Sequence, residues 1–335
     1  MLMHRNFRRG IKIIVDKWLN IRSGEAVLII TDVQHWDEMK EVQKYAQSLG
    51  ARVDVRMLPS DYTQSMSDNF DELADVMQNH EVIIGATHYS LVTTEVVKRA
   101  VRGGSRFLSL PMATNDKRSI LEYGFLTMNT DKARIKAHLL LKHINESTVI
   151  NITTRKGTDL KFRKIGRKAS YFNGKAKDNK GFTSSSFEVY LAVEEDQTFG
   201  ECVVDGSLGY LGKVGKPFKI HFDSGRLVDI EQNEFGRTLD KYMKSFNDER
   251  IYHVGELGIG LNTYSKCEGR CYIEDESAYG TAHIGFGRNN ALGGNFDANG
   301  HFDIVFREPT IYADNRLIMD KGSIVLPDPQ SWSPH

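Results

Sequence analysis

The chain has little cysteine, no surplus of charge and no long apolar run, and each shortage removes a class of protein. Only Cys202, Cys267 and Cys271 occur in 335 residues. Three cysteines make no disulfide framework and agree with a reducing compartment. Cys267 and Cys271 form a lone C-x3-C with no second ligand pair at zinc-knuckle spacing, so no cysteine metal site is read from them. Lysine plus arginine total 44, as do aspartate plus glutamate, giving a formal net charge of zero. A nucleic-acid binder usually carries a basic surplus. The longest basic stretch, Arg155 to Lys180, reads as a solvated ribbon or loop. No run approaches the roughly 20 apolar residues that span a bilayer. Arg8, Arg9, Lys12 and Asp16 interrupt the amino-terminal stretch where a signal peptide needs an apolar core. The expectation is a cytoplasmic protein with neither nucleic acid nor membrane as partner. A glycine-rich phosphate loop is also missing, because the first strand-like run ends in TDVQHW, so the usual nucleotide-binding signal is absent.

What is present is an ordinary globular composition, 40% hydrophobic and 26% charged, at a length that suits two domains. The first part alternates helix and strand. Residues 5–21 have helical apolar spacing, AVLIIT is a compact buried strand, residues 36–48 are helical again, and RVDVRML, EVIIGAT and RFLSLP are further strands separated by helical stretches. Such repeats imply right-handed crossovers and a mostly parallel sheet. We expect an α/β layered domain over 1–125, with ligands able to bind beyond the strand ends near Thr31–Gln34 or Thr87–Tyr89. A helix near 130–143 leads into a different pattern. STVINITTRKGTDLKFRKI and FKIHFDSGRLVDIEQ alternate around tight turns, and one helix, EFGRTLDKYMKSF, interrupts the strands. Residues 126–335 are expected to form a strand-rich α+β domain that binds metal.

Four segments of that domain carry metal-type ligands, two of them rich in glycine. In GHFDIVF, His301 and Asp303 stand two apart on a strand and share a face, roughly 6.5 Å apart at their α-carbons. In YGTAHIGFGRNN, His283 lies among small residues, and glycines there permit close backbone approach. In VGELGIGLN, Glu256 sits in an apolar run, where an ionised carboxylate needs a partner. In SFEVYLAV, Glu188 shares a face with Tyr190 and Ala192. Each segment alone has a plainer reading: a surface hydrogen bond, a core histidine, an exposed strand glutamate. Together, two histidines and three carboxylates suit two divalent ions such as zinc, cobalt or manganese. Three carboxylates and a bridging hydroxide offset four metal charges, whereas a single ion leaves the group net negative.

The segments GELGIGLN, EDESAYGTAHIGFGRN and HFDIVFREPTI resemble the signatures of the aminopeptidase T (M29) metallopeptidases, with further likeness upstream through FEVYLAVEEDQTFGECVVDGS. The resemblance implies an α/β domain followed by a strand-rich domain holding two metals, in a protein that tends to dimerise. It assigns Glu188 as a terminal carboxylate, Glu256 as the bridging carboxylate, and His283, His301 and Asp303 as the remaining ligands. It departs at Asn290, where the family has a catalytic tyrosine. The shorter stretch between His283 and His301 resembles a branch of the same superfamily, the iron-dependent 2,5-dihydroxypyridine 5,6-dioxygenases. Their aspartate and one histidine match Asp303 and His301, their other histidine falls at Glu256, and they lack equivalents of Glu188 and His283.

The leading expectation is a metal-dependent hydrolase of aminopeptidase type acting on small molecules or short peptides, and a homodimer. Glu256, Arg288 and Asn290 are its candidate catalytic residues, with Arg288 and Asn289 placed to hold a substrate carboxylate or carbonyl unless Arg288 is a structural ion-pair partner. Glu276 or Asp275 is a candidate proton shuttle, or else part of a helix start. The alternative is a mononuclear iron(II) dioxygenase using His283, His301 and Asp303 as a facial triad. A non-catalytic metal-stabilised binding module is the third possibility, motivated by Asn290.

Overall fold

A computed structural model describes residues 2–59, 71–91, 94–176 and 181–325. The first residue of the FDELADVMQNH helix pattern, the Thr93 end of the next one and the last four residues of the basic stretch lie outside these. The chain divides into two compact units. Unit 1 comprises Met1–Met128 and Phe172–Ser186, and unit 2 comprises Asn129–Tyr171 and Phe187–His335. The sequence pattern predicts one continuous stretch for the first domain. The return of 172–186 to it is a tertiary feature with no periodic signal.

Unit 1 begins with α1 (Leu2–Lys12), which passes into a π-helical segment, Ile13–Trp18. Residues 5–21 are therefore not one α-helix, as their spacing predicts. In the π-helical turn Ile13, Ile14, Val15 and Trp18 are all buried. There follow β1 (Ala26–Thr31), α2 (Trp36–Ser48), β2 (Arg52–Met57), α3 (Asp71–Gln78), β3 (Val82–Ala86), α4 (Glu95–Arg102) and β4 (Arg106–Ser109). β1, β3 and β4 are buried almost throughout, as parallel strands under helices must be; β1 and β3 are apolar but for Thr31, and β4 carries Arg106 and Ser109 at its ends. β2 alternates and is largely exposed because it is an edge.

The chain continues with α5 (Thr130–Glu146), whose start is capped by the Asn129 side chain accepting from the Asp131 and Lys132 amides. Then come β5 (Val149–Thr153), β6 (Asp159–Arg163), β7 (Ser170–Asn173), β8 (Gly181–Ser184), β9 (Phe187–Ala192), β10 (Thr198–Val204), β11 (Phe218–Asp223) and β12 (Arg226–Ile230). β8 completes the first sheet, ordered β2-β1-β3-β4-β8, and all its pairings are parallel. α6 (Glu234–Ser245) is capped by Asn233 in the same way as α5. The remainder is β13 (Val254–Gly260), α7 (Tyr272–Ser277), β14 (Thr281–Gly287), β15 (His301–Arg307), β16 (Thr310–Ala313), β17 (Arg316–Asp320) and β18 (Ser323–Ile324). Unit 2 contains an antiparallel sheet ordered β12-β11-β10-β6-β5-β16-β17-β18, and β15-β14-β13-β9 belong to a second sheet. One apolar cluster joins them, with Ile150, Leu160 and Phe218 from the first and Leu191, Ile259, Ile284 and Phe302 from the second. The α/β unit with a parallel sheet and the strand-rich unit are the architecture expected from the pattern.

Candidate metal centre

The second sheet of unit 2 has two buried faces with different chemistry. Side chains alternate across a strand. Leu257 and Ile259, Ile284 and Phe286, and Phe302 and Ile304 point into the core. Their neighbours on the opposite face are Glu188, Glu256, His283, His301 and Asp303, none more than 9% exposed. The strand register sets a glycine beside each ligand. Glu188 faces Gly260, His283 faces Gly258, Gly285 stands between Glu256 and Asp303, and Gly287 faces His301. None of these four positions has room for a side chain, and at 260 and 287 a β-carbon would meet the Ala278 and Gly300 carbonyls at 2.1 and 2.5 Å. A β-carbon at 258 would lie 1.9 Å from His283 Nε2, and one at 285 would lie 2.7 Å from Asp303 Oδ1 and 2.8 Å from Glu256 Cβ. The glycine-rich strands are thus the floor of the cluster.

Glu188 Oε2 lies 2.8 Å from His283 Nε2. His301 Nε2 lies 3.1 Å from Glu256 Oε2 and 3.4 Å from Asp303 Oδ1. Among the described residues, two groups of metal-type donors each fit within 4.8 Å: Glu188, Glu256 and His283, and Glu256, His301 and Asp303. Glu256 belongs to both. The other nitrogen of His301, Nδ1, lies 2.8 Å from the Arg288 carbonyl. That contact requires the proton on Nδ1 and leaves Nε2 as the ligand atom.

Burial and mutual charge shift the titration of Glu256, Glu276, His283, His301 and Asp303. Burial lowers the His283 pKa, but the carboxylates, chiefly Glu188, outweigh it and push it up to about 9. His301 is raised well above the usual imidazole range by Asp303 and Glu256, against the same burial effect. Burial raises Glu256. Burial also opposes ionisation of Asp303, but the His301 charge prevails and holds it below the usual range. Glu276 is driven well above the carboxylate range by burial and by Glu188, Asp303 and Glu256. Four carboxylates crowd two imidazoles, and His283 Nδ1 is buried with no hydrogen-bond partner. Divalent ions would offset the negative charge, so the residues present fit a metal group.

α7 lies against β9, β13, β14 and β15. It contributes a residue that sequence reasoning missed: the Tyr272 hydroxyl donates to Asp303 Oδ2 at 2.5 Å. The available signal was the i, i+4 spacing of Tyr272 and Glu276, which shares one helix face. Glu276 is buried on that face. Asp275 does different work: Oδ1 accepts from the Glu268 and Gly269 amides, both at 2.9 Å, and ties down the preceding loop. Arg288 is buried, with Nε donating to the Ala298 carbonyl at 3.0 Å and lying 3.5 Å from Asp297. Asn290 is half-buried, and its side chain caps Ala291 and reaches Asp297 at 3.4 Å. Asn289 braces the same loop, donating to the Gly255 carbonyl and accepting from Phe296. The five proposed ligands are therefore assembled, while the Arg288 and Asn290 side chains engage their own loop.

In unit 1 the strand ends named from the sequence meet. Asp32 accepts from the His88 amide at 2.8 Å and from Gln34 and His35, and the His35 and His88 rings stack at 6.0 Å. Burial and then His35 hold His88 below the usual imidazole range.

The fold and site define a metal-dependent enzyme class built on an α/β unit and a strand-rich unit. Residues 17–326 match the family NicX, 2,5-dihydroxypyridine 5,6-dioxygenase, and the chain belongs to that family of enzymes. The superfamily resemblance drawn from the sequence includes this branch. A 2,5-dihydroxypyridine 5,6-dioxygenase from Pseudomonas putida is 26% identical over 151 residues, spanning 40% of this chain and 41% of the relative's length. A solved 2,5-dihydroxypyridine dioxygenase from Pseudomonas putida KT2440 superimposes with a TM-score of 0.77 at 16% identity, covering 97% of each chain. Wild-type AmpT from Thermus thermophilus gives 0.61 at 15% identity, covering 96% of this chain and all of that one. At these identities the structural likenesses speak for the fold. Among the described residues no helix is long and apolar enough to cross a membrane.

Proposed function

We propose that this member of the family is a two-ion metallohydrolase that cleaves an amide or peptide bond in a small molecule or short peptide. The observation that carries this reading is Glu256, one carboxylate shared by two donor groups, with Glu188 and His283 on one side and His301 and Asp303 on the other. A mononuclear centre on His283, His301 and Asp303 leaves Glu188 without a role. When bound, a pair of divalent ions supplies an activated water and polarises a carbonyl; zinc, cobalt and manganese suit this donor set. The chain's own contribution is placement. Glycine floors let the carboxylates and rings approach, the Arg288 carbonyl fixes the His301 tautomer, and Tyr272 occupies the outer oxygen of Asp303. Glu276 is the buried acid nearest in character to a proton shuttle. The aminopeptidase T resemblance of the sequence supports an exopeptidase that holds a free substrate amine, and a cytoplasmic homodimer.

One finding favours a second reading. The family bears the name of a ring-cleaving dioxygenase, and His283, His301 and Asp303 would make an iron(II) triad. Metal analysis with parallel assays of aminoacyl-amide hydrolysis and of oxygen uptake with 2,5-dihydroxypyridine separates the two. Two ions per chain with amide hydrolysis supports the hydrolase. One iron with oxygen uptake and no hydrolysis rejects it.

A further inference from the structure

Tyr272 stands outside the donor set and yet touches it. Its hydroxyl meets Asp303 Oδ2 at 2.5 Å, the short end of a charge-assisted O–H···O contact. The other oxygen, Oδ1, is the one turned to the cluster, 3.4 Å from His301 Nε2 and above the bare backbone of Gly285. The two oxygens of one carboxylate thus have separate partners.

The tyrosine is held for this task from several sides. Its ring is 6% exposed and packs on Tyr210 with centroids 4.4 Å apart and planes tilted by 33°. Gly209, at φ 51°, lies so close that a β-carbon would come within 2.8 Å of the Asp303 carbonyl oxygen and 3.5 Å of the Tyr272 ring. A side chain at position 209 would therefore crowd both the Asp303 backbone and the phenol ring.

Building on the metal-centre reading, we propose that Tyr272 is a positioning residue that reserves Asp303 Oδ1 for the ion and keeps this ligand monodentate. A carboxylate free at both oxygens can grip one ion twice. That fills a coordination position, and a catalytic site keeps one open for water or substrate. Groups that orient ligands in this way typically account for 10–100-fold in metal affinity or activity, as an order of magnitude.

The test uses the full-length chain loaded with Co²⁺. Native mass spectrometry counts the ions, chelator competition gives each affinity, and visible absorption reports coordination number, since six-coordinate cobalt absorbs weakly. Tyr272→Phe removes the hydroxyl and keeps the ring. The expected result is one ion held about 10–100-fold more weakly, the other unchanged, and a fall in d–d absorption at saturation. A saturated variant spectrum identical to wild type overturns the proposal whatever happens to melting temperature or turnover. A crystal of metal-loaded wild type gives a second reading that does not depend on the variant folding: Asp303 binding through Oδ1 alone, with Tyr272 on Oδ2, is expected, and a bidentate Asp303 overturns it. A wild-type chain that holds a single ion rejects the two-ion function instead, and leaves Tyr272 to be judged at that ion.

Discussion

Glu256 reaches its place through a local irregularity. The β13–β14 register shifts between Val254 and Glu256, and such bulges re-aim a side chain at strand positions beside functional sites. The re-aimed carboxylate lies 3.1 Å from His301 and falls within both donor groups. Glu256→Gln keeps the shape and removes the charge. It is expected to deplete both ions and to lower kcat/KM for an aminoacyl amide by more than about 100-fold, beyond the range of an outer-shell change; metal analysis and steady-state kinetics check this together. At this scale the candidate ligands were legible because His301 and Asp303 stand two apart on a strand and Glu256 and His283 sit among glycines. Tyr272 was not legible, because its contact with Asp303 spans 31 residues and a tyrosine on a short helix reads as core. Arg288 and Asn289 read as substrate-holding groups from their position after the His283 strand; in the fold Arg288 donates to the Ala298 carbonyl and Asn289 to the Gly255 carbonyl.

Among the elements, α7 and the loop before it close over the ligands, and Asp275 is their clasp. Burial raises its pKa to about 6 against the opposing amide hydrogen bonds. A carboxyl whose folded pKa lies above its unfolded value favours the folded state at low pH. That contribution is lost as pH rises from the unfolded value through about 6. Asp275→Asn keeps an acceptor for Glu268 and Gly269 and cannot ionise. In metal-free protein, denaturant titrations are expected to show the variant gaining on wild type as pH rises from 4 to 7, by up to about 3 kcal/mol at 1.36 kcal/mol per pKa unit. A gap that does not change with pH would refute this account of the loop. Alternating strands and helical spacing made most elements readable in advance. The π-helical segment Ile13–Trp18 was not, because its apolar residues fit an α pattern equally well and only the packing of Trp18 and its neighbours chooses between them. The return of residues 172–186 to unit 1 depends on β8 pairing with β4, from Arg106 with Gly181 to Ser109 with Ser184, which leaves no period in the sequence.

For the whole molecule, four buried carboxylates and two imidazoles lie together, a donor set that would bind divalent ions in the folded state and that the unfolded chain lacks. Ligands that bind only the folded state stabilise it, by about 2.7 kcal/mol at 100 times Kd. A chelator is expected to lower Tm by on the order of 5–10 °C, and resupplied metal to restore it, as read by calorimetry. An unchanged Tm would mean that the cluster holds no ion. The most direct measurement is anomalous scattering from a metal-loaded crystal, recorded on both sides of the absorption edge. The account predicts two peaks per chain flanking the Glu256 carboxylate, one beside Glu188 and His283 and the other beside His301 and Asp303. A single iron peak at His301 and Asp303, with nothing beside Glu188, would contradict it.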